Sequence, residues 1–165
     1  GDHRDLHSFP TRRSSDLCAV VHWGDEYSET PSDYQLKGEK ELDSKGVDII
    51  IGSHPQVPQD IVVYRDSCGM ISGITAYSLG NAISNMTAKN TRIGVMLGIS
   101  VIRDGNGKVK ICVPVKHLIW TERPSLKGGN YSILHIEDYF SNIQIGGKLR
   151  EHDLILHYYK KFNKE

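Results

Sequence analysis

Val20-Val21-His22-Trp23-Gly24 and Ile49-Ile50-Ile51-Gly52-Ser53-His54-Pro55 are two apolar runs, each leading into a histidine. Between them stands a helix signal. Ser32 can act as N-cap with Gln35 completing a capping box, Leu36, Glu39 and Leu42 follow, and Gly46 after Lys45 is a stop. Strand, helix and strand with short connections predict a βαβ unit, whose two strands run parallel. Parallel strands put their carboxyl ends on one edge of the sheet, where α/β proteins collect ligands and chemistry. His22 and His54, 32 positions apart in the chain, are therefore expected to face one crevice. Two readings of the pair stand side by side. They are metal-binding imidazoles, neutral histidine being the commonest side-chain metal ligand, or they are ordinary loop histidines.

Outward from this unit the chain is well punctuated. Val47 to Ile51 suits a buried parallel strand, and the thin apolar stripe of the preceding helix predicts that it lies on an exposed face of the sheet. Pro55 and Pro58 break regular structure after the second strand. Ile61 to Tyr64 and Ile71 to Leu79 read as strands joined by a turn at Asp66-Ser67-Cys68-Gly69. Ile93 to Ile102 and Lys108 to Val115 read as a hairpin around Asp104-Gly105-Asn106-Gly107. Lys148 to Phe162 reads as a terminal helix with Leu149, Leu156 and Tyr159 on one face.

Composition narrows the function only by exclusion. The 165 residues, 38% of them hydrophobic, suit one domain with a real core. Twenty basic residues balance 20 acidic ones, so no nucleic-acid partner and no anionic membrane surface is indicated. Cys18, Cys68 and Cys112 are odd in number and widely spaced, which indicates neither a disulfide framework nor a zinc knuckle. No apolar run approaches the roughly 18 residues of a membrane span.

Residues 1–17 lack an initiator Met and any apolar periodicity. The stretch from Leu6 to Leu17 resembles the conceptual translation of a sequencing adapter, the alternative being a basic, Ser-rich disordered leader. Either way the segment is set aside from fold reasoning. Authentic sequence is then expected from near Cys18, with the natural N-terminal part missing.

Three blocks now carry a resemblance. His22-Trp23-Gly24-Asp25-Glu26-Tyr27, Ile51-Gly52-Ser53-His54-Pro55-Gln56-Val57-Pro58-Gln59 and Tyr77-Ser78-Leu79-Gly80-Asn81 are similar, in order and spacing, to the poly-γ-glutamate capsule-synthesis (CapA-like) family. That family lies within the calcineurin-like metallophosphatase superfamily. The resemblance implies an α/β chain forming the C-terminal part of an α/β/β/α metallophosphatase-like sandwich. Residues 18–125 would be that part and residues 126–165 a C-terminal extension with the terminal helix. The family's upstream blocks, which bring an Asp, an Asn-x-Glu element and an Asn-His pair, have no counterpart here.

Position by position, His22 matches the family's metal-side histidine, and His54 the first histidine of its G-x-H-P-H block. Gln56 departs from the pattern, standing where a second histidine is usual, and an amide oxygen is a weaker ligand for a borderline metal. Glu26 matches the family block and, like Asp25, could orient an imidazole from outside the metal's own ligands, while Asp25 reads better as solvated loop. Trp23 is expected as a packing wall beside the site. Gly80 suits a turn with positive φ, and Asn81 either completes that turn or donates to a ligand on the site's rim. His117, His135, His152 and His157 lie outside any motif and read as surface or core residues.

The resemblance implies divalent metal ions of the Mn, Fe or Zn class in the intact parent, with the alternative that this chain binds none. It also implies a polyanionic γ-glutamyl or other envelope polymer as partner, membrane-bound capsule machinery, and an extracytoplasmic place in the cell envelope. Metal-assisted hydrolysis needs anionic groups to hold the ions, and two imidazoles with Gln56 fall short. The chain as given is therefore expected to be inactive. The alternative is a non-catalytic assembly or export module that keeps the fold.

Overall fold

The computed structural model describes residues 17–107, 109–124 and 129–163. Residues 1–16 of the expected leader, and Lys108 at the head of an expected strand, lie outside the described residues.

The βαβ unit forms as its pattern predicts. Strand β1 (Leu17–His22), helix α1 (Asp33–Ser44) and strand β2 (Val47–Ser53) follow in order, and β1 and β2 pair in parallel with His22 opposite Ser53. Ser32 caps α1 through the full capping box with Gln35, and Gly46 takes φ 85° just past the helix end. Along β2 burial alternates, with Asp48, Ile50 and Gly52 inward. Strands β3 (Ile61–Arg65) and β4 (Ile71–Ala76) complete a four-stranded mixed sheet of order β1-β2-β4-β3, in which β4 is parallel to β2 and β3 antiparallel to β4. Helix α1 packs on this sheet through Leu42 and a stripe that is largely polar. Its buried residues are Gln35 and Glu39, whereas Leu36 is exposed. The thin apolar stripe fits a helix whose outer residues are exposed, while Gln35 makes its buried contact through hydrogen bonds.

The expected strand from Ile71 to Leu79 ends at Ala76. The next residues cross between sheets. Gln59 N–H donates to Ser78 O (2.9 Å), Pro58 bridges Leu79, and Leu79 O accepts from Val95 N–H (2.8 Å). That crossing leads into a second sheet of β5 (Ile93–Gly98), β8 (Val115–Glu122) and β9 (Ser132–His135), antiparallel throughout in the order β5-β8-β9. The Asp104–Gly107 hairpin forms, but only as a ribbon of β6 (Val101–Arg103) and β7 (Val109–Ile111). The partner of β5 is β8, a strand the sequence reading places largely outside regular structure.

Helices α2 (Ile136–Gly146) and α3 (His152–Phe162) pack on the second sheet. Ile93, Val95, Leu118 and Trp120 from the strands and Ile136, Tyr139, Ile155, Tyr158 and Phe162 from the helices form one core. The buried stripe of α3 is Ile155, Tyr158 and Phe162, an i, i+3, i+7 set rotated from the expected Leu149, Leu156 and Tyr159. Leu149 and Tyr159 still touch the core from its margin. No helix among the described residues is long and apolar enough to cross a membrane.

Candidate functional site

The carboxyl ends of β1 and β2 meet at one edge of the first sheet, and the imidazole rings of His22 and His54 lie there with centroids 4.5 Å apart. This meets the expectation of a shared crevice. Both side chains are solvent-accessible, His22 more so. The backbone that presents His54 is unusual, with φ 105° at His54 and 64° at Gln56. Non-glycine residues pay for such angles with strain, which persists only where surroundings over-determine the conformation.

The surroundings here are a set of hydrogen bonds lacing the loop after β1 to the loop after β2. Trp23 N–H donates to Ser53 O (3.0 Å) and Tyr27 N–H to Pro55 O (2.8 Å). Gln56 Nε2 donates to Glu26 Oε1 at 2.8 Å. Beneath them lies a pair of buried amides. Gln59 Nε2 donates to Ser28 O (2.9 Å) and Thr30 O (3.0 Å), while its Oε1 accepts from Gln35 Nε2 (2.7 Å), which also donates to Tyr77 O (3.2 Å). Gln35 and Gln59 are fully buried and hold three segments in register. The sequence reading assigned Gln35 a cap and Gln59 no role. Buried amides must find partners, and it is the fold, with Gln59 flanked in the chain by Pro58 and Asp60, that brings these two together.

Trp23 is the expected wall, and it is structural. Its ring is 6% exposed, stacks on Tyr77 with centroids 6.1 Å apart, and its Nε1 donates to Tyr77 O at 2.9 Å. Gly52 makes this possible, because a Cβ there would sit 2.0 Å from Tyr77 O and 2.4 Å from Trp23 Nε1. Burial, reinforced by the nearby Glu39 carboxylate, raises the Tyr77 phenol above its ordinary value, and Tyr64 is raised by burial and by Glu39 as well. Both phenols stay protonated at neutral pH.

Asn81 lies on the crossing between the sheets. Its Nδ2 donates to Thr91 O at 3.1 Å, and Gly80 before it has φ 69°. Asp25 is exposed, as is Glu26 apart from its bond to Gln56. Among the described residues no third His, Cys, Asp or Glu forms a ligand trio with His22 and His54. Two imidazoles beside an occupied amide do not fit a two-metal hydrolytic centre, which requires carboxylates to balance the ions.

The chain also has relatives in sequence. Residues 10–86 match the family described as "Bacterial capsule synthesis protein PGA_cap", and over part of its length the chain is CapA-like. It is 30% identical over 101 residues to the PGA biosynthesis protein CapA of Bacillus subtilis (strain 168), covering 61% of this chain and 25% of that relative. It is 34% identical over 107 residues to the capsule biosynthesis protein CapA of Bacillus anthracis, covering 64% of this chain and 24% of that one. The chain thus spans about a quarter of the length of these curated relatives. No solved structure matches it.

Proposed function

We propose that this chain is part of a poly-γ-glutamate capsule-biosynthesis protein of the cell envelope, with a metallophosphatase-like sandwich and metal-dependent hydrolase chemistry in the whole protein. The observation that carries the reading is the His22–His54 pair, brought to 4.5 Å at the carboxyl ends of parallel strands within the CapA-like stretch. In that protein a divalent ion of the Mn, Fe or Zn class would be held partly by these imidazoles. The polyanionic γ-glutamyl polymer, with membrane-bound capsule machinery, is the partner this reading assigns. The donors at this crevice support no hydrolytic step. Its residues present two imidazoles and hold the loops that carry them.

A second reading is favoured by one observation. Gln56 is engaged with Glu26, an arrangement that suits a fold kept for assembly or export without chemistry.

The test has two arms. A chromogenic phosphodiester and a γ-glutamyl oligomer, incubated with the chain and Mn²⁺ or Zn²⁺, are expected to show no turnover. Metal-dependent turnover lost in His54→Ala would overturn the assignment of inactivity. In the second arm the oligomer is titrated calorimetrically against a poly-aspartate of equal charge. Saturable heat from the γ-linked polymer alone supports the capsule assignment, and equal heats would remove it.

A further inference from the structure

A separate cluster lies on the second sheet. His117 on β8 and His135 at the end of β9 project from the sheet face opposite the one that carries Leu118 and Trp120 into the helical core. The β8–β9 register pairs Ile119 with His135, so His117 is its diagonal neighbour. Glu137 follows in the first turn of α2, to which His135 is the N-cap residue.

The atoms converge. His117 Nδ1 lies 3.2 Å from His135 Nε2, and His135 Nε2 lies 3.4 Å from Glu137 Oε2. One ligand atom from each of the three falls within 4.8 Å of the others. Two ligands on one tetrahedral ion, each bonded at about 2.0–2.1 Å, stand roughly 3.4 Å apart, so these separations, which the two imidazoles hold here through a hydrogen bond, match those of ligands sharing an ion.

Two further observations point the same way. Glu137 Oε2 is shielded from solvent and has no hydrogen-bond partner, although the carboxylate as a whole is partly exposed, so a cation at this oxygen would satisfy it. The helix dipole accounts for acidic residues in the first turn of α2, but not for an oxygen without a hydrogen bond turned toward two imidazole nitrogens. On the far side of His135, Nδ1 lies 3.6 Å from Asp138 Oδ2. A carboxylate behind the non-ligating nitrogen is how metal-bound histidines are oriented and their basicity raised.

We propose that His117 Nδ1, His135 Nε2 and Glu137 Oε2 form a binding site for one divalent transition ion of the zinc class, separate from the His22–His54 crevice. Two imidazoles and a carboxylate are the donor set of open zinc sites, which leave a coordination position free. His117 is exposed, so that position is reachable from solvent.

The test is Zn²⁺ titration of the 165-residue chain against a chromophoric chelator, with Co²⁺ as a visible-absorption probe of coordination. The double variant His22→Ala/His54→Ala is expected to retain one zinc equivalent and the tetrahedral Co²⁺ spectrum. His117→Ala and Glu137→Gln are expected to weaken that equivalent by at least about 10-fold, the loss that removing even an outer partner produces. His117→Ala removes an exposed side chain, and an unchanged far-UV spectrum and melting temperature verify its fold. Unchanged zinc affinity in His117→Ala and Glu137→Gln, or loss of all zinc binding in the His22/His54 double variant, would overturn the proposal.

Discussion

Gln56 reaches across the crevice to donate to Glu26, joining two loops through residues 30 positions apart. The bond engages the amide that follows His54 by two residues. Gln56→His is expected to raise Zn²⁺ affinity at this crevice by about 10-fold or more, because imidazole replaces a weak amide donor. Measured in a His117→Ala background, the change would belong to the first sheet alone. Unaltered affinity would count against a metal role for His22 and His54.

His54 holds φ at 105°, a region that suits glycine. Alanine at this position keeps the strain and glycine releases it. His54→Gly is therefore expected to be more stable than His54→Ala by about 1 kcal/mol, read from urea midpoints at equal slope. Equal stabilities would mean the loop relaxes without cost.

Gly52 is where the indole of Trp23 and the carbonyl of Tyr77 close on the backbone. Gly52→Ala drives a methyl into a backbone oxygen that cannot swing aside. The expected cost is about 3 kcal/mol or more, a fall in melting temperature on the order of 10 °C for a chain of this size. A fall of under about 3 °C would show that β4 can shift away from β2.

Tyr158 donates to Glu29 Oε1 at 2.6 Å, and burial followed by that carboxylate raises its phenol well above the ordinary value. A phenol whose folded value exceeds its unfolded one favours the folded state fully below about pH 10 and loses that contribution as pH climbs toward the folded value. Stability is expected to fall between roughly pH 9 and 11. In Tyr158→Phe the slope should be shallower but not zero, since Tyr64 and Tyr77 are raised too. Identical slopes by urea unfolding would remove Tyr158 from the account.

Strand β1 stands at the edge of its sheet with Val20 78% exposed. An apolar edge is a template for pairing with another chain. Val20→Lys is expected to reduce concentration-dependent self-association in light scattering, with a stability change within about 0.5 kcal/mol. Unchanged association would place the sticky surface elsewhere.

The parts legible in the sequence are those specified locally. Ser32 and Gln35 cap a helix through their own side chains, the Val47–Ile51 run forms the parallel strand its composition demands, and together they put His22 beside His54. Pairings over longer distances were not legible. Asp104–Gly107 signals a turn but not that the strands around it stop after three residues, nor that β5 instead finds β8. The rotation of α3 is invisible for the same reason, because which of Ile155, Leu156 and Tyr158 faces inward depends on the sheet it meets. His117 and His135 carry no spacing signal, since β8–β9 pairing and not the chain brings them together.

Besides the Tyr158 bond, Glu29 receives Lys161 Nζ on its carbonyl at 3.1 Å, and the same ammonium lies 3.4 Å from Asp60. The loop that follows β1 is thus tied down by residues synthesised long after it. Tyr158 follows Glu29 by 129 positions, which at about 5–20 residues per second is on the order of ten seconds of translation. Through that interval the ribosome-bound chain carries the loop that follows His22 without the anchors α3 supplies, so this flank of the crevice is completed only as α3 emerges and docks.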